Sequence, residues 1–270
     1  MIVASALVVA SCHTPSASSV ASEKLGKQVE VLKQQNQEFI TYFKVKKDLS
    51  TEHDTTLKGD MSLDIDEELS KILQDVKPAV VKILSIVIGE SIGDRLITSL
   101  GSGVIISRDG YIITNSHCIP LNYRSATVAC TEDEGTVYTA ELKKRDVQKD
   151  LALLKLQEVK DGLPYLEFGN SSTLTDDGRL FMIGYPSTKY SGSVGYYKGY
   201  TVTRGSQNLI HCTYSNCPGA SGGAVVNDKK KLMAINRGVS FTKYGIYSDA
   251  IPAHTVKKFI QEHIPDFNDR

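Results

Sequence analysis

The sequence predicts an all-β barrel or sandwich with a helical extension before it and a helix after it, and three observations carry that prediction. After Pro78 the chain breaks into short runs rich in Val, Ile, Leu and Tyr. Gly, Asn, Asp and Pro punctuate those runs, and none of the connections has the length and 3.6-residue period of a crossover helix. Before Pro78 the pattern is helical instead, and from Pro252 onward it becomes helical again.

In chain order, residues 1–10 form a short apolar stretch, well under the roughly 20 residues that a membrane-spanning helix needs. Val9-Ala10-Ser11-Cys12 resembles a bacterial lipobox, which makes Cys12 a candidate lipidation site and the polar tract after it a tether, so residues 1–22 are read as a lipoprotein-type signal. No Lys or Arg precedes the apolar run, which departs from an ordinary secretory leader. Residues 23–49 favour helix, with Leu25, Val29, Leu32, Asn36, Phe39 and Phe43 at alternating spacings of four and three. That stripe at residues 25–43 suits either packing on the rest of the chain or self-association, and residues 23–60 are read as a helical spacer and linker.

Asp64, Asp66, Glu67 and Glu68 open a helix that should end near Val76, with acidic residues complementing the helix dipole in its first turn. Strands are predicted over 80–88, 103–107, 111–114, 126–130, 136–142, 151–156, 180–184, 197–202, 210–214, 224–227, 231–236 and 245–249. A last helix is expected over 252–263, so a barrel-forming region of 61–252 is followed by a C-terminal helix and tail at 253–270. The tyrosines at 185, 190, 196, 197 and 200 suit cross-strand packing in a hairpin.

Composition removes several function classes. Thirty-one basic and thirty-one acidic side chains give a formal net charge of zero, and without a basic stripe or zinc-finger spacing no nucleic-acid partner is expected. The histidines at 13, 53, 211, 254 and 263 show no metal-ligand spacing, so neither a metal nor a cofactor is predicted.

The chemistry concentrates in three segments. Ser221 sits in Pro218-Gly219-Ala220-Ser221-Gly222-Gly223, His117 in Thr114-Asn115-Ser116-His117, and Asp150 in Lys149-Asp150-Leu151-Ala152. A serine hydroxyl needs an imidazole to take its proton, and the imidazole needs a third group to orient it. Gly219-Ala220-Ser221-Gly222-Gly223 also matches the nucleophile elbow of α/β-hydrolases. In that fold the acid and the histidine follow the serine and a helix comes directly after it; here both precede Ser221, and strand patterns follow.

Lys77-Pro78-Ala79-Val80-Val81 and the run from Gly101 through Asp109-Gly110 to His117 resemble the opening of an HtrA-like protease of the trypsin superfamily. The resemblance continues in Asp150-Leu151-Ala152-Leu153-Leu154, Ile183-Gly184-Tyr185-Pro186, the serine segment, Ala234-Ile235-Asn236 and Ala250-Ile251-Pro252. It implies a chymotrypsin-like double β-barrel, with His117 and Asp150 from the first barrel and Ser221 from the second. It also implies a serine endopeptidase acting on protein or peptide substrates, with Ser221 as nucleophile, His117 as base and then acid, and Asp150 as the group that orients the imidazole. The N–H groups of Gly219 and Ser221 would form the oxyanion hole. A bacterial envelope location goes with this reading; a cytoplasmic one goes with an apolar start that has no targeting role. The rival readings are a catalytically silent protease-fold protein that binds peptides or adheres to surfaces, and an oligomeric scaffold built on the N-terminal helix.

The chain also departs from the pattern. Ala220 stands where relatives carry a polar residue, so activation by pairing a freed N-terminus with an aspartate there is not expected. Too few residues follow Ile251 for the family's PDZ domain, so peptide sensing through one is not expected either. The pocket wall should include Ser215, Asn236, Arg237 and Gly238, and Arg237 could favour an acidic substrate side chain, as in glutamyl endopeptidases of the same fold. If Cys12 is lipidated, four cysteines remain, and they suit either the local disulfides Cys118–Cys130 and Cys212–Cys217 or free buried thiols.

Overall fold

The computed structural model describes residues 67–88, 96–120, 125–130, 137–159, 162–202, 208–243 and 245–267, all within the unit Ser62–Arg270. Cys12, the tether and the apolar stripe at residues 25–43 lie outside the described residues.

Among the described residues, twelve strands close into two six-stranded antiparallel barrels. The first takes β1 (Val80–Ile88), β2 (Leu96–Ile105), β3 (Tyr111–Thr114), β4 (Ser125–Cys130), β5 (Val137–Asp146) and β6 (Leu151–Leu156), in the order β1-β2-β3-β6-β5-β4. The second takes β7 (Arg179–Gly184), β8 (Ser191–Val202), β9 (Asn208–Cys212), β10 (Ala224–Val226), β11 (Leu232–Thr242) and β12 (Gly245–Pro252), in the order β10-β11-β12-β9-β8-β7. Closure removes exposed sheet edges.

The period of two along a strand explains why these segments read as continuous apolar runs. Alternate side chains face two different cores, so both faces are dry. In β6, Ala152, Leu154 and Leu156 fill the first barrel with Val81, Ile83, Ile105 and Ile112. Leu151 and Leu153, on the other face, join Val80, Val104 and Ile113 in a cluster with Phe181, Ile183, Ala224, Val226 and Ile235 of the second barrel. In β7, Leu180 and Met182 face the second barrel's interior with Ile210, Val225 and Met233. The cluster shared by both barrels fixes one against the other, and removing a leucine from such a site costs about 2–5 kcal/mol.

Helix α1 (Glu67–Val76) buries Ile72 and Val76 in the shared cluster and carries Glu67 and Glu68 in its first turn. Helix α2 (Ala253–Gln261) buries Ala253, Val256, Phe259 and Ile260 in the same cluster, a single apolar face at helical spacing. Several strands run longer than their composition suggests. β2 starts at Leu96, because ladder pairing with β1 extends from Val80↔Val104 to Ile88↔Leu96 through a Gly- and Ser-containing segment. β8 likewise starts at Ser191 and β11 runs to Thr242, both by pairing with a neighbour. Tyr185 and Tyr190 meet edge to face at 5.6 Å, and Tyr197 and Tyr200 at 5.8 Å. Tyr185 is a core residue, 2% exposed.

Candidate active site

The antiparallel pairing of β3 with β6 sets Thr114 opposite Ala152. The chain leaving β3 therefore emerges beside the chain entering β6, and Asn115 and a 3₁₀ turn over Ser116–Cys118 follow. That turn carries His117, and the residue just before β6 is Asp150. Asp150 has φ 55°, a left-handed conformation that is costly for a residue with a Cβ. Asn115 Nδ2 holds it there by donating to the Asp150 carbonyl at 3.1 Å.

The Asp150 carboxylate is buried, at 7% exposure. It accepts from the His117 backbone N–H at 3.1 Å, and His117 Nδ1 lies 2.9 Å from Oδ2 and 3.1 Å from Oδ1. A carboxylate only accepts, so Nδ1 carries the hydrogen and Nε2 of the neutral ring is left as an acceptor. The imidazole side chain is half exposed. Its pKa is pushed up to about 10, chiefly by the Asp150 hydrogen bond and then by the Cys118 side chain, against the opposing effect of burial.

The serine segment is built from turns. Gly219 has φ +94° and Gly222 φ +83°. A Cβ on Gly219 would lie 2.5 Å from the Tyr185 carbonyl oxygen, and one on Gly222 would lie 2.1 Å from the Ser102 carbonyl oxygen, so glycine is required at both. Pro218 O accepts from Ser187 N–H at 2.8 Å, and Ala220 O accepts from Gly223 N–H at 3.0 Å and Asn236 Nδ2 at 2.9 Å. A trans peptide directs its N–H opposite to its C=O. The N–H groups of Gly219 and Ser221 therefore point away from those two anchored carbonyls, and neither has a backbone acceptor among the described residues.

The first barrel reaches across to this segment. Ser102 of β2 donates its N–H to Ser221 O at 2.7 Å and its Oγ to Gly219 O at 2.7 Å, and that Oγ accepts from Tyr185 N–H at 2.8 Å. Thr114 Oγ1 donates to Ser102 O at 2.6 Å, and Cys118 Sγ lies 3.5 Å from Ser221 O. Ser221 Oγ donates to the Arg237 carbonyl at 3.1 Å, and no hydrogen bond among the described residues joins it to His117.

Four residues were expected in the pocket wall, and the structure places them in different settings. Ser215 is exposed and accepts at its carbonyl from Ser193 Oγ at 2.8 Å. Asn236 is fully buried, with its amide used by Tyr214 Oη at 3.0 Å, Asn216 Nδ2 at 2.9 Å and Ala220 O, so it ties segments together. Gly238 O accepts from Asn216 Nδ2 at 2.7 Å. The guanidinium of Arg237 stands beside Asp150, with Nε 3.2 Å from Oδ2.

The local disulfides do not form. Cys118, Cys212 and Cys217 are free thiols. Cys212 points into the second core, where burial pushes its thiol up to about 12, whereas Cys217 is exposed. Cys118 faces the Ser221 carbonyl. Among the described residues, no group of His, Cys, Asp and Glu could hold a metal ion. Ser102, Asn115 and the Arg237–Asp150 contact were not singled out in the sequence, since each depends on a partner far along the chain.

A family model described as the trypsin-like peptidase domain matches residues 101–235, half of the chain. Among curated proteins, a probable periplasmic serine endoprotease DegP-like from Chlamydia trachomatis is 31% identical over 178 residues, covering 62% of this chain and 34% of the relative. The serine endoprotease DegS of Salmonella typhimurium is 34% identical over 181 residues, covering 62% of this chain and 47% of the relative. The serine protease HTRA1 of Xenopus laevis is 29% identical over 212 residues, covering 72% of this chain and 42% of the relative. The chain thus spans about a third to a half of the length of these relatives.

Proposed function

Since the chain belongs to the family of trypsin-like peptidase domains, we propose that it is a serine endopeptidase hydrolysing protein or peptide substrates through an acyl-enzyme intermediate. One observation carries the reading: a buried carboxylate holds Nδ1 of His117 at 2.9 Å, which leaves Nε2 to act as the base. In this reading Ser221 Oγ turns from the Arg237 carbonyl to His117 Nε2, gives it the proton and attacks the scissile carbonyl. The charge that develops on the carbonyl oxygen is met by the N–H groups of Gly219 and Ser221. His117 then protonates the leaving amine, and a water activated by the same imidazole releases the acyl group. Asp150 stabilises the imidazolium at both stages. Ser215, Asn236, Arg237 and Gly238 are proposed to shape the substrate-binding wall.

Labelling with a fluorophosphonate probe tests the chemistry. The wild type is expected to react at Ser221 and to cleave an unstructured protein, and Ser221→Ala to do neither. A folded wild type that is inert to the probe would support a silent peptide-binding protein instead.

The relatives' names place two of the three at a bacterial periplasm or among bacterial endoproteases, and a bacterial envelope location is proposed here too. Residues 1–22 are proposed as a lipoprotein signal with Cys12 as the anchor, 23–60 as spacer, 61–252 as the peptidase domain and 253–270 as its closing helix and tail. Incorporation of labelled palmitate, lost in Cys12→Ser, checks the anchor. Light scattering with and without residues 23–49 checks self-association through residues 25–43.

A further inference from the structure

β11 breaks register at one residue. It pairs with β12 at Asn236↔Ala250 and again at Gly238↔Asp249, so Arg237 is the extra residue of a bulge. A bulge re-aims the groups of the residue it inserts. Here it directs the Arg237 carbonyl to Ser221 Oγ at 3.1 Å and the Arg237 guanidinium to Asp150 Oδ2 at 3.2 Å. One residue therefore touches two members of the proposed trio.

The contact with Asp150 is Coulombic. Nε is buried and its N–H is not aligned on an acceptor, so charge and proximity define the pair. A guanidinium keeps its charge at every pH a folded protein meets. His117 Nδ1 lies 2.9 Å from the same Oδ2. Two cationic groups thus share one oxygen when His117 is protonated, and only Arg237 remains when it is not.

The other titratable groups around this centre come from three directions. Cys118 lies beside His117 on the 3₁₀ turn and acts on it. From β12, Asp249 feels the Arg237 charge; its carboxylate accepts from Ser240 Oγ at 2.9 Å, and His211 Nε2 of β9 lies 3.2 Å from it. Lys149, next to Asp150 in sequence, pairs with Asp146 at 2.7 Å and Glu262 at 3.6 Å. Arg237 is a permanent cation set directly against Asp150.

We propose that Arg237 is a positioning residue for the proton relay: by sharing Asp150 with His117 it weakens the carboxylate's hold on the imidazolium and brings the base form of His117 closer to neutral pH. The inference rests on the peptidase reading given above. The physical reason is that a fixed cation on the shared oxygen reduces the negative charge that the imidazolium meets, so the ring gives up its proton, and can take one from Ser221, at a lower pH than with Asp150 alone. The pairing also engages the guanidinium with a partner other than an acidic substrate side chain.

The test is an NMR titration of the His117 imidazole in the full chain, comparing the wild type with Arg237→Gln and Arg237→Lys. Arg237→Gln is expected to raise the His117 midpoint by about one unit, the effect of removing a nearby charge. The rising limb of the kcat/KM profile should move to higher pH with it. Arg237→Lys, which keeps the charge, should titrate close to the wild type. An Arg237→Gln midpoint equal to that of the wild type overturns the inference, even if the melting temperature falls, because a purely structural arginine would lower stability without moving the titration. Should Arg237→Gln not fold, Arg237→Met, which keeps the aliphatic stem and removes the charge, takes its place, and a midpoint equal to that of the wild type overturns the inference in the same way. The titration needs no turnover, so its result stands apart from the fate of Ser221→Ala in the peptidase test.

Discussion

The two halves of the site are held in place by different means. His117 and Asp150 belong to the same barrel, and their geometry is closed locally: β3 and β6 are neighbours, Asn115 pins the Asp150 backbone at 3.1 Å, and the carboxylate binds both the backbone and the ring of His117. Ser221 has no such local frame. Its segment is a succession of tight turns with two left-handed glycines, and its Gly219 and Ser221 carbonyls are held by Ser102 of the other barrel. The first half is a property of one barrel, and the second exists only where the two barrels meet. Loss of inter-barrel registration should therefore dismantle the serine segment first and leave the His–Asp pair intact.

Substitutions sharpen that contrast, and the largest effect belongs to the local half. Asp150→Asn keeps the shape but favours the wrong tautomer of His117, and kcat is expected to fall by about 10⁴-fold. Gly219→Ala attacks the other half. Its φ of +94° and the 2.5 Å approach to Tyr185 O leave no room for a Cβ, so the Gly219 N–H must move. Activity should drop about 10²–10³-fold, the worth of one oxyanion donor, while the His117 titration stays as in the wild type. If that titration changes as well, the halves are not independent and the contrast fails.

Ser102→Ala comes next and probes the strap itself. It leaves the half-buried Gly219 carbonyl without its Oγ–H donor and the buried Tyr185 N–H without its acceptor. Loss of stability of about 1–3 kcal/mol is expected in urea unfolding, with kcat falling more than KM rises. A Ser102→Ala enzyme with wild-type kcat would show that the serine turns support themselves.

The architecture was largely legible because strands such as β1, β3, β6, β7, β10 and β11 carry apolar residues on both faces, which is what strands between two cores require. Strand ends were less legible. The starts of β2 and β8 and the far end of β11 contain Gly, Ser or polar residues and are strands only because a partner pairs with them. At the site, His117, Asp150 and Ser221 stand out as residue types in recognisable surroundings. Ser102 does not, since its hydroxyl matters through a carbonyl 117 residues away. Arg237 was visible only as a lone cation near the serine loop. Its approach to Asp150 follows from a bulge in the β11–β12 ladder, a matter of register that no local pattern announces. The proposed disulfides failed for a related reason: spacing in sequence says nothing about which core Cys212 faces.

The smallest effect is on stability and bears on the local half alone. His117 has its proton affinity raised from 6.5 to about 10 in the folded chain, mainly by Asp150. A group with a raised folded-state value favours folding when protonated, so its contribution is fully present below pH 6.5 and is lost as pH rises through about 10. The ring is half exposed, so solvent screens the pair and the gain is modest. Urea midpoints measured across that interval should fall more steeply for the wild type than for Asp150→Asn, in which the charge partner is gone while the backbone contacts of Asp150 persist. Parallel curves would mean that the carboxylate orients the imidazole without holding its charge, and the His–Asp half would then be fixed by geometry alone, as the serine half is.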